Sequence, residues 1–190
     1  MFEFLEVFTS YYNRLYTSET GVKSQRWLYD EILDVSIVLI FSVSHTPGSH
    51  WESPPGADLC ASYLVTLTLT YQQIVRKAPS TCRLSIERFP HSFPQDSIIA
   101  RFSPSGTRDL SQPVTIIGAH PDSVNLYFPL LNAPGADDNG SGTATILEAF
   151  RTLVSVGFEP VHGPVEFHWW AGEEAGLLGS QVRPSSAQDR

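Results

Sequence analysis

Apolar positions along the chain fall into three regimes. In residues 3–15, Phe4, Leu5, Phe8, Tyr12 and Leu15 recur at helical spacing and predict one amphipathic helix. A second helix follows Ser18-Glu19-Thr20-Gly21, with Trp27, Leu28 and Ile32 on one side. Then the character changes. Between Trp27 and Val75 there is no Lys or Arg, only a β-branched run, a Pro- and Gly-punctuated loop at 46–56 and a strand-like alternation at 65–71. From Arg83 onward the pattern becomes regular. Leu84, Ile86 and Phe89 predict one short strand, residues 97–102 a second, and the apolar run 114–119, opened by Pro113, a buried third. Residues 141–156 read as a helix that buries Ile146, Leu147, Phe150, Leu153 and Val154 and stops at Gly157. Val165, Phe167 and Trp169 alternate in a further strand. Strand, helix, strand at this spacing is a βαβ unit, so an α/β fold is expected, with a parallel sheet covered on both faces.

Composition narrows the class. Of 190 residues, 42% are apolar and only 17% charged, below the roughly 25% usual in globular proteins. That excludes a disordered polar chain and a coiled coil. Twelve Lys and Arg against twenty Asp and Glu give a net charge of −8, and no cationic cluster exists to neutralise phosphates, so no nucleic-acid partner is expected. The longest apolar run, 35–43, is broken by Ser36 and Ser42 and falls short of the about twenty residues of a membrane span. The amino terminus carries Glu3 and Glu6 and no base before Arg14, unlike a secretory signal. The chain therefore reads as soluble, without an export signal or a membrane partner. Cys60 and Cys82 are too few for a disulfide framework, and their spacing decides nothing about a bridge.

Chemistry gathers at three polar clusters whose positions the topology dictates. His120-Pro121-Asp122 follows one strand, Glu173-Glu174 follows the next, and Asp137-Asp138-Asn139 precedes the helix between them. In an open parallel sheet all three lie at the same edge, where α/β proteins bind ligands. A neutral imidazole with hard carboxylate oxygens suits Zn²⁺. Asp122 is spaced to accept the other ring N–H of His120 and fix its tautomer. Of Asp137 and Asp138 one should bind metal and the other be structural or cap the helix; of Glu173 and Glu174 one should bind metal and the other act as general acid/base. A metal with a free carboxylate beside it is an apparatus for amide hydrolysis. Each cluster alone has a plainer reading: a packed histidine, an Asp-Asn turn, or two glutamates favourable to a helix dipole. Jointly, at these positions, the metal reading is the stronger. His45, His50, His91, His162 and His168 have no acidic partner at comparable spacing, and His168 reads as a packed strand residue. Asn139-Gly140-Ser141 matches a glycosylation sequon but is expected to be unmodified in this loop.

Three blocks, 118–123 (Gly-Ala-His-Pro-Asp-Ser), 133–142 (Ala-Pro-Gly-Ala-Asp-Asp-Asn-Gly-Ser-Gly) and 171–180 (Ala-Gly-Glu-Glu-Ala-Gly-Leu-Leu-Gly-Ser), resemble those of the secreted fungal and bacterial di-zinc leucine aminopeptidases. A weaker likeness extends over residues 12–16 and 21–27. The resemblance implies a three-layer α/β/α zinc-peptidase fold with a mostly parallel central sheet. It implies that His120 binds one zinc, Asp138 bridges two, Glu174 binds the other, Glu173 is the general base and Asp122 orients His120. It implies hydrolysis of the N-terminal peptide bond of peptides by a metal-activated water, often after an apolar residue such as leucine, and an extracellular location.

The sequence departs from that family in two respects. The family needs a further aspartate and histidine downstream, and beyond Glu174 this chain has only Asp189 and no histidine. The expectation is a fold incomplete at its carboxyl end, and a chain inactive or impaired by itself. Residues 34–71 have no counterpart in the family pattern and fit an insertion or translated non-coding sequence. The expected organisation is thus N-terminal helices at 1–33, an anomalous segment at 34–71, half a peptidase domain at 72–183 and a disordered tail at 184–190. Two other readings compete: a mono-zinc enzyme related to glutaminyl cyclases, and a non-catalytic binding module on a peptidase-like fold.

Overall fold

The structure, a computed structural model, describes residues 2–43, 84–104 and 112–181. Helix α1 (Phe2–Phe8) buries Phe4 and Phe8, whose rings stack at 5.3 Å. It ends well before the 3–15 pattern predicts. Thr9 Oγ1 donates to the Leu5 carbonyl and Ser10 Oγ to that of Val7, 2.7 Å each, so the last carbonyls find side-chain partners in place of another turn. The chain then passes through buried Asn13, Arg14 and Leu15 to helix α2 (Glu19–Val43). Ser18 Oγ accepts the Gly21 amide at 2.9 Å and caps that helix. Residues 34–43 continue α2. The rest of the anomalous segment, the 65–71 alternation, Cys60, Cys82 and the tail at 184–190 lie outside the described residues. Among the described residues no helix is long and apolar enough to cross a membrane.

Four strands, β1 (Leu84–Phe89), β2 (Ser97–Phe102), β3 (Thr115–Ala119) and β4 (Val165–Trp169), form one sheet in the order β1-β2-β4-β3. Helix α3 (Gly142–Ser155) joins β3 to β4, which run parallel, so the βαβ unit is present as expected. The described sheet is mixed, however. The short 90–96 connection returns β1 onto β2 antiparallel, and β2 pairs antiparallel with β4. Ile98, Ala100, Phe102, Phe167 and Trp169 form a core with α3, where Phe150 lies 5.6 Å from both Phe102 and Phe167. The expectation that 114–119 is buried fails. β3 lies at the edge of the described sheet, and Ile116 is 49% exposed there.

The opposite face carries charge. Arg101 Nη1 donates to Glu166 Oε1 at 2.8 Å, and His168 Nε2 lies 2.7 Å from Glu166 Oε2. His168 is packed, as its strand position predicts, but it does have an acidic partner; two residues apart on a strand, the pair shares one face. Burial alone raises the Glu166 carboxyl, yet His168 and Arg101 outweigh it and hold it below the usual range. A depressed folded pKa adds stability above the unfolded value of about 4.3 that is lost as pH falls through the lower folded value. Urea midpoints taken at about pH 6 and about pH 3 should therefore fall less in Glu166→Gln than in the natural chain. The variant itself starts about 1–3 kcal/mol lower. Equal acid sensitivity in both chains would contradict this account.

Candidate metal centre

The parallel pairing of β3 with β4 ends level, Ala119 opposite Trp169, and the Trp170 amide donates to the Ala119 carbonyl at 2.9 Å. His120 and the turn at 171–177 therefore leave the sheet side by side. Gly118 permits the packing of Trp170 there, since a Cβ would lie 2.1 Å from the indole. His120 is 8% exposed, and its carbonyl accepts Thr143 Oγ1 of α3 at 3.0 Å, which fixes the loop against the helix. The ring is held on both sides. Nδ1 lies 3.2 Å from the Asp122 carbonyl and 3.5 Å from Asp122 Oδ1. Nε2 lies 3.0 Å from Asp138 Oδ1 and 3.6 Å from Glu173 Oε2.

Asp122, fully buried, does more than face the imidazole. Its two carboxylate oxygens accept the amides of Glu173 and Glu174, at 3.1 Å each, and so hold the glutamate turn against the histidine loop. That turn is not a helix start. The short helix α4 (Leu178–Gln181) begins only after it, so a favourable helix dipole does not explain the two glutamates. Asp138 sits in a π-type turn, Ala136–Ser141, and leaves helical dihedrals at φ −111°, ψ 100°; the Asp138-Asn139 peptide is cis. The capping oxygen at the start of α3 comes from Asn139, whose Oδ1 accepts the Gly142 amide at 3.0 Å, and not from an aspartate. Asp137 contributes its carbonyl to Ser141 Oγ.

Electrostatics follow the crowding of carboxylates. Burial alone lowers the His120 imidazole, but Asp122, then Glu173 and Asp138, outweigh it and hold the ring above its ordinary value. Burial and then the charge of Asp138 push the Glu174 carboxyl up, against the pull of His120. One cation behind the cluster was not singled out as functional from the sequence. Arg14, fully buried, is pulled down to about 10 by burial, opposed by Asp122 and Glu174. The signal was faint: Arg14 is the first cation in the chain, set between Asn13 and Leu15 in an otherwise aromatic stretch.

The donor set fits zinc in kind, one imidazole nitrogen facing carboxylate oxygens. His120 and Asp138 converge directly, while Glu174 enters the cluster through its amide to Asp122. Among the described residues no three such side chains form a closed metal cage.

An imidazole and carboxylates thus gather at the carboxyl edge of the sheet, where α/β folds bind ligands. Residues 97–188 match the model of Peptidase family M28. The chain is 39% identical over 182 residues to leucine aminopeptidase 1 of Penicillium rubens, which covers 94% of this chain and 36% of that relative. Among solved structures it is similar to the LapA aminopeptidase of Legionella pneumophila, at 25% identity and a TM-score of 0.62, over 95% of this chain and 36% of that one. The glutaminyl cyclase of Tannerella forsythia, at 14% identity and a TM-score of 0.52 over 95% and 53% of the two chains, shares the fold. The chain thus spans little more than a third of the length of the curated relatives it matches.

Proposed function

We propose that this chain supplies part of the active site of an extracellular zinc aminopeptidase that removes residues from the N-termini of peptides. The observation that carries the reading is the convergence of His120 Nε2, Asp138 Oδ1 and Glu173 Oε2 within 3.6 Å at the sheet edge. His120 and Asp138 would hold one zinc, and Asp138 and Glu174 a second, with Asp122 orienting the His120 ring. Bound there, zinc would supply Lewis-acid polarisation of a scissile carbonyl. Glu173 takes a proton from the attacking water and delivers it to the leaving amine. Counted this way, each zinc has two protein ligands from this chain, where a catalytic zinc usually takes three. The 190-residue chain by itself should therefore bind zinc weakly and hydrolyse at or below detection. Residues 34–71 we read as an insertion between the parts of the peptidase fold at 1–33 and 72–183, a border that α2 crosses; transcript sequencing over this stretch checks it.

Two measurements test the reading. Zinc added to the ¹⁵N-labelled chain should shift the ring signals of His120, and Asp138→Ala should weaken that response about tenfold or more. With zinc present, the chain alone should release no leucine from leucyl p-nitroanilide. Ring signals indifferent to millimolar zinc would sink the metal centre. Brisk release of leucine, abolished in Glu173→Gln, would show the donor count to be sufficient and that part of the proposal wrong.

A further inference from the structure

We infer that Arg14 is a positioning residue of the metal centre, locking together the two loops that present His120 and Asp138. The inference rests on the zinc reading above. Nε donates to the Pro121 carbonyl at 2.7 Å, within the His120-Pro121-Asp122 block. Nη2 donates to the Gly135 carbonyl at 2.9 Å and Nη1 to that of Pro134, the two residues that lead into the Asp138 turn. Nη1 also reaches the Phe8 carbonyl at 3.4 Å, and the guanidinium carbon lies 4.3 Å over the Phe8 ring. One planar fork thus binds α1, the histidine loop and the aspartate turn at once. An ammonium on a flexible stem cannot match that set of directions.

The main chain around Arg14 strengthens the tie. Its amide donates to Ser123 Oγ at 3.1 Å, Ser123 Oγ donates to the Ala133 carbonyl at 2.7 Å, and the Ala133 amide donates to the Tyr12 carbonyl at 2.9 Å. Residues 12–14 therefore form a strap across the whole connection from Asp122 to Gly135. Gly135 is where the guanidinium and the metal turn share space. It lies at φ +51°, and a Cβ there would come 2.8 Å from Arg14 Nη2 and 2.5 Å from the Asp138 carbonyl. The hydrogen bonds of the guanidinium all go to carbonyls. A full charge is thus buried without a bonded carboxylate, which makes it a poor choice for stability alone. A buried fork that sets the spacing of two ligand-bearing loops accounts for it.

The test compares zinc affinity, read from the His120 ring signals, with thermal stability in four chains: natural, Arg14→Lys, Ser123→Ala and Val154→Ala. Val154 is buried in α3 and absent from the site, so Val154→Ala reports the effect of lost stability alone. Arg14→Lys should bind zinc about tenfold or more weakly, Ser123→Ala should shift in the same direction by less, and Val154→Ala should bind as the natural chain does. Unchanged affinity in Arg14→Lys, or an equal loss in Val154→Ala, overturns the positioning role and leaves the zinc reading intact. Should Arg14→Lys not fold, Ser123→Ala decides alone: unchanged affinity there overturns the role. A natural chain indifferent to zinc removes the zinc reading and, with it, this inference.

Discussion

Replacing Asp122 with alanine should lower stability by about 3–5 kcal/mol and abolish the response of His120 to zinc. Both effects come from one side chain with no solvent exposure. Its oxygens accept two amides from the glutamate turn, and it faces the ring nitrogen of His120 that does not point at Asp138. Removing it strands the amides of Glu173 and Glu174 and leaves the charge of Arg14 less balanced. For a chain of this size each kcal/mol moves the thermal midpoint by about 2–4 °C, so a fall of roughly 10 °C is expected by circular dichroism. Asp122→Asn discriminates further. It keeps the volume but presents one NH₂ where the native oxygens accept only donors, so it should recover part of the fold and little of the zinc response. A loss below about 1 kcal/mol in Asp122→Ala would mean the turn is held by something else.

Phe150→Ala should cost a comparable amount, about 3–5 kcal/mol, by a different route. Phe150 has no exposure and meets Phe102, Phe167 and Trp169 with ring centroids 5.6–6.3 Å apart. It is the point where α3 meets β2 and β4. A cavity there is poorly refilled by three rigid aromatic rings already packed around it. The loss should appear as a lower urea midpoint with an unchanged slope. A loss under about 1 kcal/mol would show that α3 can settle onto the sheet without its aromatic anchor.

What the sequence reveals and what it hides divide along physical lines. The α3 stripe and the alternation of Val165, Phe167 and Trp169 are legible because one face of each is buried against the other, which writes a period into the chain. The convergence of His120, Asp138 and Glu173 is legible because βαβ topology brings consecutive loops to one edge. The exposure of β3 is not, since an apolar run reads the same at the edge of a sheet as at its centre. The antiparallel entry of β2 depends on which strand it meets, a pairing far apart in sequence. The early end of α1 turns on two hydroxyls that satisfy carbonyls locally, a choice that hydrophobic spacing does not register. Glu166 with His168 could have been found, because an acid two residues from a histidine in a strand shares its face. Arg14 acts on backbone carbonyls more than a hundred residues away, and carbonyls leave no mark in a sequence.

The turn that carries Asp138 also bears on the chemical lifetime of the protein. Asn139-Gly140 is the dipeptide most prone to deamidation, because the glycine amide can attack the asparagine side chain and close a succinimide ring. Here that amide is engaged with the Gly135 carbonyl at 2.9 Å, while the side-chain oxygen of Asn139 is tied to the Gly142 amide. Ring closure would have to free the glycine amide and swing the tethered side chain toward it. The geometry that aims a carboxylate at His120 therefore also slows the ageing of the asparagine next to it.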